Sequence, residues 1–177
     1  MSGRVLITPR SLTASGGAGL ESLRETGFEL VFGPAGEMPS AEQLARLLPG
    51  CAGWLAGVEP ITAAVLEHAE GLRVISRNGT GVDNIDLEAA AGRGIEVRRV
   101  PGANAEGVAE LALMLAMWAL RGLGPATRSL REGGWERPLG RELAGARLGV
   151  VGCGAVGRRL VDLALAFGGE VLATDLR

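Results

Sequence analysis

The sequence predicts an α/β protein whose strands run parallel in a sheet covered on both faces. Three observations predict it. Short apolar stretches alternate with helical stretches from residue 5 onward, and strands that are apolar on both faces belong to buried parallel sheets. Three glycines stand in G-x-G-x-x-G order at Gly152, Gly154 and Gly157, directly after the apolar run 148–151. A helical run and a second apolar run, 170–174, follow, with an acid at the tip, Asp175, 23 residues beyond Gly152.

In chain order, residues 5–8 read as a strand and 20–25 as a helix ended by Gly27. Residues 28–32 form the second strand. Ser40 caps a helix over 41–48, and Pro49-Gly50 stops it. A strand at 52–56, a helix at 62–69 and a strand at 72–76 come next. Asp86 caps a helix through Ala91, closed by Gly92 and Gly94, before a fifth strand at 95–98. Pro101-Gly102 then interrupts the pattern, which divides the chain into domains 1–100 and 101–177. The longest helix spans 104–121, and its middle, 111–120, is wholly apolar. Such a helix is expected to be buried on most faces, in a core or at a subunit contact. A second helix covers 125–132 and ends at Gly133-Gly134.

Composition excludes several classes. The 177 residues carry a formal charge of −2 with no long run of one sign, which argues against nucleic acid or an anionic membrane as partner. The longest apolar run is about half of what a membrane span needs. Met1-Ser2-Gly3-Arg4 leads straight into a strand, unlike a leader, and Cys51 and Cys153 lie far apart, so a reducing cytoplasm is expected. All 18 basic residues are arginine. The absence of lysine excludes a Walker-type loop and Schiff-base chemistry; the absence of tyrosine excludes a Ser-Tyr-Lys site. One histidine and two separated cysteines make no zinc site, so no metal is expected. That histidine, His68, reads as a surface residue of a short helix.

The run 148–175 is the βαβ dinucleotide-binding fingerprint in its structural context. Gly152 allows a tight turn, Gly154 lets backbone approach a pyrophosphate, and Gly157 lets the helix pack on the strand. The helix start offers N–H groups to phosphate. Asp175 is placed to accept from a ribose diol, which favours NAD; Arg177, just beyond, would partly offset repulsion of a 2′-phosphate. A second constellation, Arg77-Asn78-Gly79-Thr80-Gly81-Val82-Asp83-Asn84-Ile85-Asp86, follows a strand and precedes a helix. It reads equally as an anion-binding concavity beside Arg77 and as a glycine turn with an Asp86 N-cap.

Taken together, these segments resemble the D-isomer-specific 2-hydroxyacid dehydrogenases, most closely their phosphoglycerate dehydrogenase branch. The matching elements are residues 77–86 ahead of Leu87-Glu88-Ala89-Ala90, Pro101-Gly102-Ala103-Asn104-Ala105-Glu106 with Ala109-Glu110, Gly134-Trp135-Glu136-Arg137, and the glycine fingerprint with Asp175. The resemblance implies a flavodoxin-like substrate domain followed by the start of a Rossmann nucleotide-binding domain. It implies a small 2-hydroxy or 2-oxo acid as substrate, held at Arg77, Asn78, Gly79, Thr80 and Gly81. Thr80 would also lie near the nicotinamide, and Gly152, Gly154, Ala155, Val156, Gly157 and Asp175 would hold NAD. A homodimer would form through the 104–121 helix and the Trp135 segment.

Two departures stand out. Ala56 occupies the place of an arginine that phosphoglycerate enzymes carry after the third strand, which puts a phosphorylated substrate in doubt. The family's catalytic arginine, glutamate and histidine lie beyond the ribose-binding acid, so no catalytic residue is expected within these 177. The chain therefore reads as the N-terminal half of such an enzyme, inactive alone. The alternative is a non-catalytic dinucleotide-binding or oligomerisation module.

Overall fold

The computed structural model of the protein describes residues 3–176. Met1 and Ser2, which bear on the leader, and Arg177, which bears on cofactor choice, lie outside the described residues. Contacts between Cα atoms divide the chain into two compact units that meet at Pro101 and Gly102.

The first unit runs β1 (Arg4–Ile7), α1 (Arg10–Ser15), α2 (Ala18–Glu25), β2 (Glu29–Phe32), α3 (Ala41–Leu47), β3 (Cys51–Ala56), α4 (Ala63–Leu66), β4 (Val74–Arg77), α5 (Leu87–Gly92) and β5 (Glu96–Arg98). The five strands are all parallel, in the order β2-β1-β3-β4-β5. This is the flavodoxin-like order, and it reverses direction between β1 and β3. Leu6, Trp54 and Ile75 form one face with Leu44, Val65 and Leu66 from the helices and Leu48 just after α3. Val5 and Ile7 face the other way, onto Leu20.

Local chemistry fixes the helix starts. Ser40 accepts from the Gln43 amide while the Gln43 side chain accepts from the Ser40 amide, a capping box that satisfies two donors at once. Thr62 caps α4 and Asp86 caps α5. Two elements differ from the sequence expectation. The helix expected at 62–69 forms only one turn, leaving His68 exposed in the turn beyond it. Helix α1 went unpredicted: it buries no residue and has no side-chain cap, so neither periodicity nor a start signal marks it.

The second unit runs α6 (Ala105–Leu120), α7 (Leu123–Arg131), β6 (Arg147–Val151), α8 (Ala155–Ala166) and β7 (Glu170–Thr174). Strands β6 and β7 are parallel, with Val151 opposite Thr174. Leu113, Leu143, Ala146 and Ala164 form its core. Arg159 on α8 meets Glu106 on α6 with two bonds, 2.6 and 2.7 Å. Only Ala109 and Leu113 of α6 are buried. Leu111, Leu115 and Trp118 are 52, 53 and 43% exposed. The expected burial of α6 on most faces therefore does not occur within the chain, because α8 covers one stripe only. Among the described residues, no single helix is long and apolar enough to cross a membrane.

Candidate functional site

The first unit gathers its polar groups at the carboxyl ends of β1, β3 and β4. Arg77 is the last residue of β4, and Asn78 to Gly81 leave the sheet directly behind it. The Asn78 amide donates to the Ala56 carbonyl at 2.8 Å and the Gly79 amide to the Arg77 carbonyl at 2.8 Å. The Val100 amide donates to Gly79 O, and Arg99 Nη1 donates to Thr80 O, both at 3.1 Å. These bonds pin the loop by its carbonyls. The amides of Thr80 and Gly81 donate to no group among the described residues. The five loop residues are thus divided: two amides are consumed in holding the turn, and two have no partner among the described residues. Thr80 and Gly81 are half-exposed, so water or an anion can accept from those amides. The guanidinium of Arg77 folds over the loop, donating from Nη1 to Asn78 O. A Cβ on Gly79 would stand 2.6 Å from that nitrogen, so glycine makes room for the arginine. Asp86 accepts from the Ala89 amide at 2.9 Å, so the N-cap and the open amides exist side by side.

A cavity of about 270 Å³ adjoins the loop, walled by residues of the β1–α1 turn, the segment after β3, and Arg77 with Asn78. It lies where the sheet order reverses, which is where ligands bind in open α/β sheets. Two of its residues, Arg10 and Glu59, escaped the sequence reading. Both lie three residues beyond the end of an apolar strand, β1 and β3, and that placement is the available signal. Ala56, at the end of β3, is fully buried and does not line the cavity. His68 lines neither the loop nor the cavity.

The second unit builds the glycine fingerprint with three distinct geometries. Gly152 has φ +95°, a conformation L side chains rarely adopt. A Cβ at Gly157 would stand 1.9 Å from the Gly152 carbonyl oxygen, so only glycine lets α8 pack there. A Cβ at Gly154 would meet nothing within 4 Å; the space beside the second glycine is open. No side chain caps α8, and the first-turn amides of Ala155, Val156 and Gly157 have no partner among the described residues. Asp175 follows β7, where its carboxylate accepts from the Cys153 amide at 2.5 Å. The acid therefore sits against the glycine turn it follows in register. These features fit a dinucleotide: open space at the second glycine, unpaid donors at a helix start and an acid beside them.

The family model for D-isomer-specific 2-hydroxyacid dehydrogenases, catalytic domain, matches residues 12–146. The chain belongs to this family. It is 44% identical over 117 residues to a hydroxypyruvate reductase of Thermotoga maritima, covering 65% of this chain and 38% of that protein. The TT0316 protein of Thermus thermophilus superposes with a TM-score of 0.87 at 35% identity, over 98% of this chain and 56% of that one. An NAD+-bound 3-phosphoglycerate dehydrogenase of Entamoeba histolytica superposes with a TM-score of 0.81 at 26% identity, over 99% and 55%. The chain thus spans about half the length of these solved relatives.

The glycine geometry makes a prediction about stability. Gly157→Ala forces α8 off the Gly152 carbonyl and lowers the unfolding free energy by about 2 kcal/mol or more, as overpacking does. Gly154→Ala meets open space and changes it by about 1 kcal/mol or less. Urea unfolding followed by circular dichroism checks both, and equal effects of the two substitutions contradict the assignment of roles.

Proposed function

We propose that this sequence supplies the carboxylate site and the dinucleotide site of an NAD-dependent D-2-hydroxyacid dehydrogenase, whose reaction is hydride transfer between NAD and C2 of a small 2-hydroxy acid. The observation that carries this reading is the presence in one chain of two sets of unpaid backbone donors, at Thr80 and Gly81 and at the start of α8. Family membership makes the chemistry specific. NAD, when bound, supplies the hydride acceptor. The residues of this chain bind and orient. Thr80 and Gly81 hold the substrate carboxylate by their amides, with Arg77, Asn78 and Gly79 shaping the turn, and family membership adds Thr80 to the expected cofactor contacts. Gly152 and Gly157 set the phosphate turn, Gly154 leaves it open, and Ala155, Val156 and Gly157 donate to the pyrophosphate. Asp175 accepts from the ribose diol. Among the described residues no histidine stands at either set, His68 lying away from the loop and the cavity; no turnover is therefore expected from these 177 residues alone. Free Cys51 and Cys153 support a reducing, cytoplasmic setting.

Cofactor choice tests the reading. Asp175 accepts from a diol and repels a 2′-phosphate. In the protein that carries this sequence, NAD is expected to bind at least about tenfold more tightly than NADP, one charged hydrogen bond and one repulsion apart. Asp175→Ala removes most of that difference. Equal affinity for the two cofactors, unmoved by the substitution, contradicts the reading; calorimetric titration measures it.

The reading also includes a homodimer through α6 and the Trp135 segment. Val108, Leu111, Leu115 and Trp118 lie in one stripe at helical spacing and are all exposed. Trp135 is 76% exposed on an extended segment held by the Glu136 amide to Ser129 Oγ at 2.9 Å. Contiguous apolar surface of this kind marks association, and an isologous contact would cover it twice over. Sedimentation at micromolar concentration is expected to show a dimer that Leu115→Glu dissociates. A monomer at every concentration is the opposite result.

A further inference from the structure

Glu59 is the unusual member of the cavity beside the glycine loop. It is 1% exposed, and acids are almost never buried so far without a counter-charge. No cation lies within ion-pair distance of it among the described residues. Its partners are neutral. Oε1 accepts from the Gly57 amide at 2.9 Å and from the Thr8 hydroxyl, while Trp54 Nε1 donates to Thr8 at 2.8 Å. Oε2 accepts no hydrogen bond among the described residues and lies against Gly57, where a Cβ would stand 2.7 Å from it. Donors line the same cavity. Arg10 makes no ion pair among the described residues, and of the Arg77 guanidinium only Nη1 is engaged. Its Nε is buried without an acceptor.

We propose that this cavity reads the C3 substituent of the 2-hydroxy acid, and that Glu59 makes it select a hydroxyl. The inference rests on the loop holding the carboxylate: Arg77 and Asn78 wall both sites, so the two are contiguous. A hydroxyl both donates and accepts, and so satisfies Glu59 Oε2 and an arginine together. A methyl satisfies neither and leaves a desolvated carboxylate oxygen unpaired. A phosphate satisfies the arginines but brings about two negative charges toward a buried carboxylate. Exposed Arg10 offsets little of that, because solvent screens it; half-buried Arg77 offsets about one of the two charges and leaves the other facing Glu59. The doubt that Ala56 casts on a phosphorylated substrate thus has an independent counterpart in Glu59.

Three acids separate the possibilities: D-glycerate, D-lactate, which lacks only the C3 hydroxyl, and D-3-phosphoglycerate. Each is titrated into the ¹⁵N-labelled 177-residue chain, following the Thr80 and Gly81 amides. D-glycerate is expected to bind about tenfold more tightly than D-lactate, the worth of one hydrogen bond to a charged group, and more tightly than D-3-phosphoglycerate. Glu59→Gln keeps an acceptor for Gly57 and Thr8. It is expected to cut the glycerate-to-lactate ratio to about threefold or less, as a neutral hydrogen bond replaces a charged one, and to strengthen phosphoglycerate binding. Phosphoglycerate binding more tightly than glycerate to the unmodified chain overturns the proposal, whether or not the variant folds. So does a glycerate-to-lactate ratio that Glu59→Gln leaves unchanged. Binding of all three acids with equal affinity overturns this inference alone, while no response of either amide to any acid overturns the carboxylate reading with it.

Discussion

In a parallel sheet every strand finishes at the same edge, and that constraint governs where the polar groups of the first unit collect. Ile7 pairs with Leu55, and Ala56 pairs with Arg77. The residues that follow these strands therefore emerge side by side, however far apart they are in sequence. Pro9 and Arg10, Gly57 and Glu59, and Arg77 to Gly81 are gathered in this way at the point where strand order reverses. The apolar interior supplies the rigidity: Leu6, Trp54 and Ile75 are at most 1% exposed. A loop carried by such a sheet can leave two amides without a partner, because its other bonds are fixed by Ala56 of β3, Arg77 of β4, and Arg99 and Val100 just after β5. The preorganisation of the loop is thus a property of the strands beneath it.

The second unit depends on a different close approach. Strand β6 turns into α8 with the Gly152 carbonyl nearly against Gly157. This contact sets the helix start over the turn and leaves Gly154 facing open space. The same turn brings Asp175 beside Cys153, since Val151 and Thr174 are in register. Three glycines of one motif therefore differ in what surrounds them: a positive-φ backbone conformation at Gly152, a close packing distance at Gly157 and open space at Gly154.

Much of this was legible in the sequence because it rests on local or periodic signals. The alternation of apolar runs with helical stretches marks every strand, and Ser40 and Asp86 mark helix starts by side-chain chemistry. The glycine spacing with Asp175 carried the second unit. What was not legible came from tertiary geometry. Which loop amides are spent on the turn and which stay unpaid depends on the Ala56 and Arg77 carbonyls, and no spacing encodes that. Glu59 reads in sequence as one more surface acid ahead of a proline; its burial follows from Thr8, Trp54 and Gly57 converging on it. Helix α6 is legible only in part. Its composition calls for cover, in a core or at a subunit contact; the chain itself covers one stripe, since hydrophobicity states a need for cover without saying what provides it.

The central claim is that two separate groups of backbone amides, one in each unit, are acceptor-hungry by construction. Amide hydrogen–deuterium exchange of the 177-residue chain, read residue by residue with and without saturating NAD+ and D-glycerate, tests it most directly. The account predicts fast exchange at Thr80, Gly81, Ala155, Val156 and Gly157 in the free chain, and slow exchange at Asn78 and Gly79. It predicts that the acid protects Thr80 and Gly81 alone, while NAD+ protects the start of α8 alone. Protection of Thr80 and Gly81 without any ligand, or protection by either ligand at amides outside these two groups only, would contradict it.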